Sequence, residues 1–290
     1  MKKTDIVITL IGVLAVVAVV IYVKQQDQPL QGLDLPPETD VQSVTVVPEE
    51  PAIRYPVPEP TPPIEPPAAE PETPEQAPPP TEPDTVPEQT EPENPLPTLD
   101  ESDEALRQDL YILATRQALE SLFNLDRIIR RFVVTVDNLP RKHLPRSKYR
   151  SNRMVSGRFR VAEDNYGIYL GEENFARYAA FVDLLESMNT DQLVALYLYY
   201  YPLIQAAYED MGYPSAYFND RLVDVIDQLL RTPDVSGRIR LVRPRVLYKY
   251  ADPELEALSA GQKVLIRIGP QNASRVKTKL RELRKQLVRD

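Results

Sequence analysis

The pattern of hydrophobic and polar residues divides the chain into three regions. An unbroken apolar run begins at Ile6 and ends at Val23, without a charged residue or a proline. Residues 24–97 show no apolar periodicity, whereas from residue 98 onward apolar residues recur at helical spacing. This division predicts an N-terminal hydrophobic segment, a linker and one folded domain.

The apolar run has the length of a membrane helix. Eighteen residues of α-helix span ~27 Å, close to the thickness of the hydrocarbon core of a bilayer. A cleavable signal peptide has a similar basic start, but it ends in small residues at the cleavage site. The apolar run instead ends in Tyr22 and Val23, which are followed by Lys24. We therefore predict an uncleaved, single-pass transmembrane helix over residues 6–23.

The charges that flank the run predict its orientation. Lys2 and Lys3 precede it and Lys24 follows it. Because basic flanks stay on the cytoplasmic side, residues 1–5 are expected in the cytoplasm and the rest of the chain on the exported side. In a bacterium this arrangement corresponds to an inner (plasma) membrane protein with a periplasmic C-terminal domain.

Beyond residue 98 the apolar spacing predicts several amphipathic helices. The clearest one covers residues 125–139, and further helices are predicted over 172–188, 191–211, 218–230 and the last stretch before residue 288. Asp252 before Pro253, and Ser259 paired with Gln262, indicate two more helix starts. Short strands are predicted near 159–161, 239–242 and 246–250. The predicted fold class is mainly α with a minor β component, a small β hairpin, over 98–290.

Composition identifies the middle region as a linker. Residues 29–97 hold 22 of the 30 prolines and 15 acidic residues, with Arg54 as the only basic residue. Proline removes backbone donors and like charges repel, so such a segment cannot form a packed core. We predict a disordered, extended linker over 24–97 with a contour length of up to ~200 Å, either a passive spacer or a docking site for a partner.

Charge and residue types limit the chemistry of the domain. The net charge of −9 is an average, because residues 98–290 carry 30 basic and 26 acidic residues. The chain has no cysteine and only one histidine, His143. These counts disfavour Cys/His catalysis and Cys/His metal sites, and the sequence indicates no cofactor.

A basic stretch is the first candidate binding site. Residues 141–160 contain no acid and eight basic residues: Arg141, Lys142, Arg146, Lys148, Arg150, Arg153, Arg158 and Arg160. Positive fields attract anions. On the exported side the candidate partners are anionic lipid, envelope polysaccharide or an acidic protein, including the linker itself. Nucleic acid is disfavoured by that location.

Three aspartates supply the alternative, a hydrolase directed at the cell wall or another polysaccharide. Asp220, Asp224 and Asp227 fall on one stripe of a predicted helix. Glycoside hydrolysis needs two carboxylates roughly 5–9 Å apart, one of which acts as an acid. The same pattern is typical of a solvated helix face paired with Arg221 and Arg231. The leading hypothesis is therefore a non-catalytic binding or scaffolding module.

Three long motifs resemble a bacterial family known as domain of unknown function 3014. They are RRFVVTVDNLPR (130–141), YFNDRLVDVIDQLLRTP (217–233) and YADPELEALSAGQKVLIRIGPQNASRVKTKL (250–280). The resemblance covers roughly residues 98–288. It implies a Gram-negative protein with an N-terminal membrane segment. The family has no assigned activity, so the resemblance implies no catalytic or binding residue.

Overall fold

The computed structural model describes residues 52–58, 96–153 and 157–288. The helices are α1 (Ser102–Leu113), α2 (Arg116–Leu122), α3 (Ile128–Asn138), α4 (Glu173–Ala176), α5 (Ala179–Ser187), α6 (Thr190–Asp210), α7 (Phe218–Leu230), α8 (Pro253–Ala257), α9 (Ala260–Arg267) and α10 (Pro270–Leu287), with a 3₁₀ turn at Ser147–Tyr149. The strands are β1 (Val161–Asp164), β2 (Gly167–Leu170), β3 (Arg240–Val242) and β4 (Lys249–Tyr250). The domain is therefore mainly helical with a small antiparallel sheet.

Five helices form the centre of the main core. Helix α6 packs on α3, and α10 packs on α5, α6 and α7. Their apolar stripes meet through fully buried side chains such as Phe132, Tyr197, Phe218 and Val276. The buried residues of α6 lie on one side of the helix, so the burial on all sides that its apolar sequence predicts is not found.

The sheet is larger than the predicted hairpin. Its strands are antiparallel in the order β1-β2-β3-β4. One face packs on α9 through a second, smaller apolar cluster that includes Leu170, Leu241, Tyr250 and Ile266. The strand that the sequence did not predict is β2, which lies between β1 and β3 and joins two parts of the chain some 70 residues apart in sequence.

The helix starts predicted at Asp252 and Ser259 are confirmed. The side chain of Asn189 caps α6, Asp252 caps α8, and Ser259 and Gln262 form a complete capping box at α9. The predicted helix over 172–188 is instead two helices, α4 and α5, separated at Arg177 and Tyr178. Tyr178 is buried in the main core, so packing decides where this segment breaks.

The predicted membrane helix lies outside the described residues. Among the residues that the structure describes, no helix combines the length and the apolar character that a membrane span requires. The single-pass segment over 6–23 therefore stays a prediction.

Candidate functional site

A short piece of the proline-rich region, residues 52–58, lies against the start of α7. This helix begins at Phe218, and its apolar residues Leu222, Val223 and Ile226 face the main core. The helical period then leaves Asp220 and Asp224 one turn apart beside the bound segment. We call this surface, formed by Tyr217, Asn219, Asp220 and Asp224, the α7 groove.

The α7 groove binds the backbone of the segment. The carboxylate of Asp220 accepts the N–H of Arg54 at 3.0 Å and the N–H of Tyr55 at 2.7 Å. The side-chain amide of Asn219 donates to the carbonyl of Tyr55 at 2.9 Å. The hydroxyl of Tyr217 accepts the N–H of Val57 at 2.9 Å. Four backbone groups of the segment, which bends at Arg54 and Tyr55, are thus satisfied by three side chains.

Two side chains of the segment add selectivity. The guanidinium of Arg54 donates to both carboxylate oxygens of Asp224, at 2.6 and 3.1 Å. This hydrogen-bonded pair raises the pKa of Arg54 above its ordinary value. Tyr55 packs against the main core and is half-buried. Bidentate pairing distinguishes arginine from lysine, and the tyrosine adds apolar contact.

The floor of the groove is held by buried tyrosines. Asn219 is fully buried, and its side-chain oxygen accepts the hydroxyl of Tyr197 at 3.0 Å. Its backbone N–H donates to the hydroxyl of Tyr201 at 3.3 Å. Burial raises the pKa of Tyr197 well above its usual range, so this hydroxyl stays protonated as a donor. The amide of Asn219 is therefore oriented with its NH₂ group toward the bound segment.

The third predicted aspartate has a different partner. Asp227 accepts two hydrogen bonds from Arg284 of α10, so it connects two helices instead of contacting the segment. The sequence favours Arg221 and Arg231 as partners of these acids, and for Arg221 this expectation is wrong, because it donates to Asp137 at 3.1 Å. The carboxylates of Asp220, Asp224 and Asp227 each use both oxygens on such contacts.

The predicted basic stretch is distributed over several neighbourhoods. Arg141 donates to Asp137 at 2.6 Å, and Arg153 donates to the carbonyl of Phe123 at 2.9 Å. Arg150 is buried, and burial lowers the pKa of its guanidinium to about 10. The remaining members are exposed: Lys142, Arg146, Lys148, Arg158 and Arg160. Arg141 and Arg150 therefore serve the domain itself.

Sequence reasoning did not identify the residues that bind the segment through its backbone, Asn219 and Tyr217, or the segment itself. The sequence did contain one signal that could have indicated the segment. Arg54 is the only basic residue of residues 29–97, and it stands beside Tyr55 within a Pro/Glu-rich composition. Such a local departure from composition marks a candidate docking motif. As for metals, the described residues contain no group of three or more His, Cys, Asp and Glu side chains placed to hold an ion.

Comparison with known proteins gives one match. The model of a family described as "Protein of unknown function (DUF3014)" matches residues 128–284, more than half of the chain. Searches of the curated proteins and of the solved structures found no match. The matched region runs from α3 into α10 and contains the whole α7 groove, but not the bound segment. This chain therefore belongs to the DUF3014 family.

Proposed function

We propose that this protein is a non-catalytic, membrane-anchored binding module of the bacterial cell envelope, and that it binds a short peptide segment of a partner protein in the α7 groove. The observation that carries the proposal is that the groove already holds a segment of this chain, bent at Arg54 and Tyr55, through four backbone groups. Backbone-directed contacts provide affinity for extended peptides in general, and side-chain contacts then select among them.

The partner peptide follows from the chemistry of the groove. Asp224 fits an arginine, and the neighbouring apolar surface fits an aromatic residue, as Arg54 and Tyr55 show in the bound segment. An Arg-Tyr pair followed by residues that favour an extended backbone matches both features. The chain's own segment is then a local competitor, because a linked segment has a high effective concentration.

The location of the module is part of the proposal. It is supported by the apolar run over residues 6–23 and by Lys2 and Lys3, which favour a cytoplasmic N-terminus and a periplasmic domain. The stretch over 24–97 would carry the domain away from the inner membrane. Exposed members of the basic stretch remain candidates for contact with anionic lipid, envelope polysaccharide or an acidic protein.

The contacts of the aspartates favour binding over hydrolysis. A glycosidase needs one carboxyl group to donate a proton and a second to act as nucleophile or base. Both oxygens of Asp220 accept backbone N–H groups, and both oxygens of Asp224 accept the Arg54 guanidinium. Both carboxylates are therefore occupied as acceptors for the segment.

A peptide-binding measurement tests the proposal. A labelled peptide with the sequence of residues 50–58 is titrated into the full chain carrying Arg54→Ala and Tyr55→Ala, which weakens the competing segment. We expect saturable binding that is at least about tenfold tighter than binding to the unchanged chain, because the linked segment no longer occupies the groove. Fluorescence anisotropy provides the readout.

Two further variants in the same background serve as controls. Asp224→Asn should weaken binding of the peptide by a few-fold, because this pair is half exposed. Asp183→Asn, which removes an exposed acid of α5 that pairs with Arg275, should leave binding unchanged. Failure of the peptide to bind the freed groove, or equal loss with both variants, would refute the proposal.

A further inference from the structure

The sheet brings together basic residues that are distant in the sequence. Arg160 directly precedes β1, and its carbonyl accepts the N–H of Gly171 after β2. Arg240 lies in β3 and Lys249 in β4. Part of the basic stretch over 141–160 therefore joins the arginines near residue 240 on one small sheet, which neither stretch indicates by itself.

The two faces of this sheet differ in character. Leu170, Leu241 and Tyr250 are buried on the face that packs on the smaller apolar cluster. Because side chains alternate along a strand, Tyr169 and Arg240 lie on the opposite face, where they are register partners. Arg240 is exposed there and Tyr169 is half-buried, so this face is open in the described part of the chain.

Both hairpin turns lie at the same end of the sheet. Asp164 pairs with Gly167 across the first turn, and Val242 pairs with Lys249 across the second. The register of β2 and β3 places Gly167 next to Val242. The tips of the two turns are apolar or aromatic and strongly exposed, with Tyr166 at 81% and Val246 at 71%.

Cations surround these exposed tips. Arg243 and Arg245 flank Val246, and both are exposed, as is Lys249 at the base of the same turn. Asp164, the acid of the first turn, pairs with Arg238. The end of the sheet thus presents two projecting apolar or aromatic side chains beside three exposed cations, while the acids Glu163 and Asp164 lie on the β1 side.

We propose that this end of the sheet, defined by Tyr166, Arg243, Arg245, Val246 and Lys249, is a docking surface for an anionic lipid bilayer. Tyrosine and valine side chains enter the interfacial region, while arginine and lysine contact lipid phosphates. Each cation near an anionic membrane surface contributes about fivefold in affinity. The inference goes beyond the peptide-binding proposal, because it uses a different surface of the domain.

The absence of cysteine from the chain allows a site-specific test. Val246→Cys in the full chain is labelled with an environment-sensitive fluorophore and reconstituted with vesicles of phosphatidylcholine, with or without phosphatidylglycerol. Ile112→Cys on α1, which is 60% exposed, is the matched control. We expect a blue shift, and quenching by a lipid-borne quencher, at residue 246 in the anionic vesicles only, and no change at residue 112.

Variants that remove charge distinguish lipid binding by this end of the sheet from a general attraction between a cationic domain and an anionic membrane. The combined change Arg243→Gln, Arg245→Gln and Lys249→Gln should reduce the fraction of label in contact with lipid at least tenfold. The matched change Arg231→Gln, Arg281→Gln and Lys285→Gln removes three exposed cations elsewhere and should not reduce it. The inference would be overturned by equal signals at residues 246 and 112, or by equal signals in neutral and anionic vesicles. It would also be overturned if both charge variants had the same effect, or if inorganic phosphate at constant ionic strength abolished the signal.

Discussion

At the scale of single residues, long-range partners decide what the charged side chains do. Asp220 and Asp224 lie on one helical stripe, as their spacing predicts, yet they contact Arg54, which is more than 160 residues away in sequence. Asp137 is almost fully buried and accepts from both Arg141 and Arg221. Residue types and spacing predict which face a charge occupies, but the partner follows from tertiary structure.

The same dependence on partners leads to a pH prediction for Asp109. Burial raises the pKa of Asp109 above its ordinary value of 3.8, although the hydroxyl of Tyr200 donates to it at 2.7 Å. The folded state therefore binds more protons than the unfolded state as pH rises above this value. The contribution of Asp109 to the free energy of unfolding is therefore fully present below pH 3.8. This contribution is lost as the pH rises through the pKa that Asp109 has in the folded state. Asp109→Asn should remove this loss, measured by urea unfolding at several pH values.

Asp126 is a control for which the expected change of stability with pH has the opposite sign. The hydrogen bond from Arg131 lowers the pKa of Asp126, so its contribution to stability is present above the ordinary value and is lost at acid pH. Asp126→Asn should therefore destabilise the chain near neutral pH, and the difference should vanish as the solution is acidified. The same slope of stability against pH for both variants would contradict the prediction.

At the scale of helices and strands, periodicity and capping predict most of the elements. The helix predicted over 125–139 appears as α3, and the expected starts at Asp252 and Ser259 are those of α8 and α9. The sequence analysis missed strand β2, which begins with Gly167, a residue type that is depleted in strands. The turn over 165–166 and the alternation in Gly-Ile-Tyr-Leu were the available signals.

The junction between α9 and α10 supports a prediction about Gly269. Its φ of +87° is a conformation that other residues rarely adopt, and an added Cβ would lie 2.6 Å from the ring of Phe175. Gly269→Ala should therefore lower the free energy of unfolding by about 3 kcal/mol or more, from backbone strain together with overpacking. The shift of the urea midpoint at constant m-value measures it.

Gly237 provides the matched control for this effect. It has a similar φ of +82°, but nothing lies within 4 Å of the position of its added Cβ. Gly237→Ala should lower the free energy of unfolding by only about 1 kcal/mol, which is the backbone strain of placing alanine at a positive φ. If both substitutions had the same effect, close packing of Gly269 on Phe175 would not contribute to stability.

At the scale of the whole molecule, the bound segment changes how the domain is connected. Because residues 52–58 lie on the domain, the connection toward the apolar run is residues 24–51 instead of 24–97. A polyproline II chain of the shorter length spans at most ~90 Å, compared with ~200 Å or more for the longer one. Release of the segment from the α7 groove would therefore extend the reach of the domain.

Orientation in the membrane is the prediction at this scale. A reporter that is active only on the exported side, fused after Asp290, should be active, and a reporter active only in the cytoplasm should not be. Replacing Lys2 and Lys3 with Glu should reduce the exported fraction, because positive charge then remains only after the run. Lys142→Glu combined with Lys285→Glu, which changes two exposed lysines far from the run, is the control. Exclusively cytoplasmic activity would contradict the proposed location.

Features that depend on neighbours along the chain can be predicted from the sequence: the apolar run, the Pro/Glu-rich composition, the helical periods and the capping residues. These follow from local backbone geometry and from the burial of one side of an element. Which distant groups meet follows from tertiary packing, as with Arg54 and Asp224, Arg284 and Asp227, and the paired strands β2 and β3. The physical reason is that hydrogen bonds and ion pairs act over a few ångströms in space, whatever the separation of their residues in the chain.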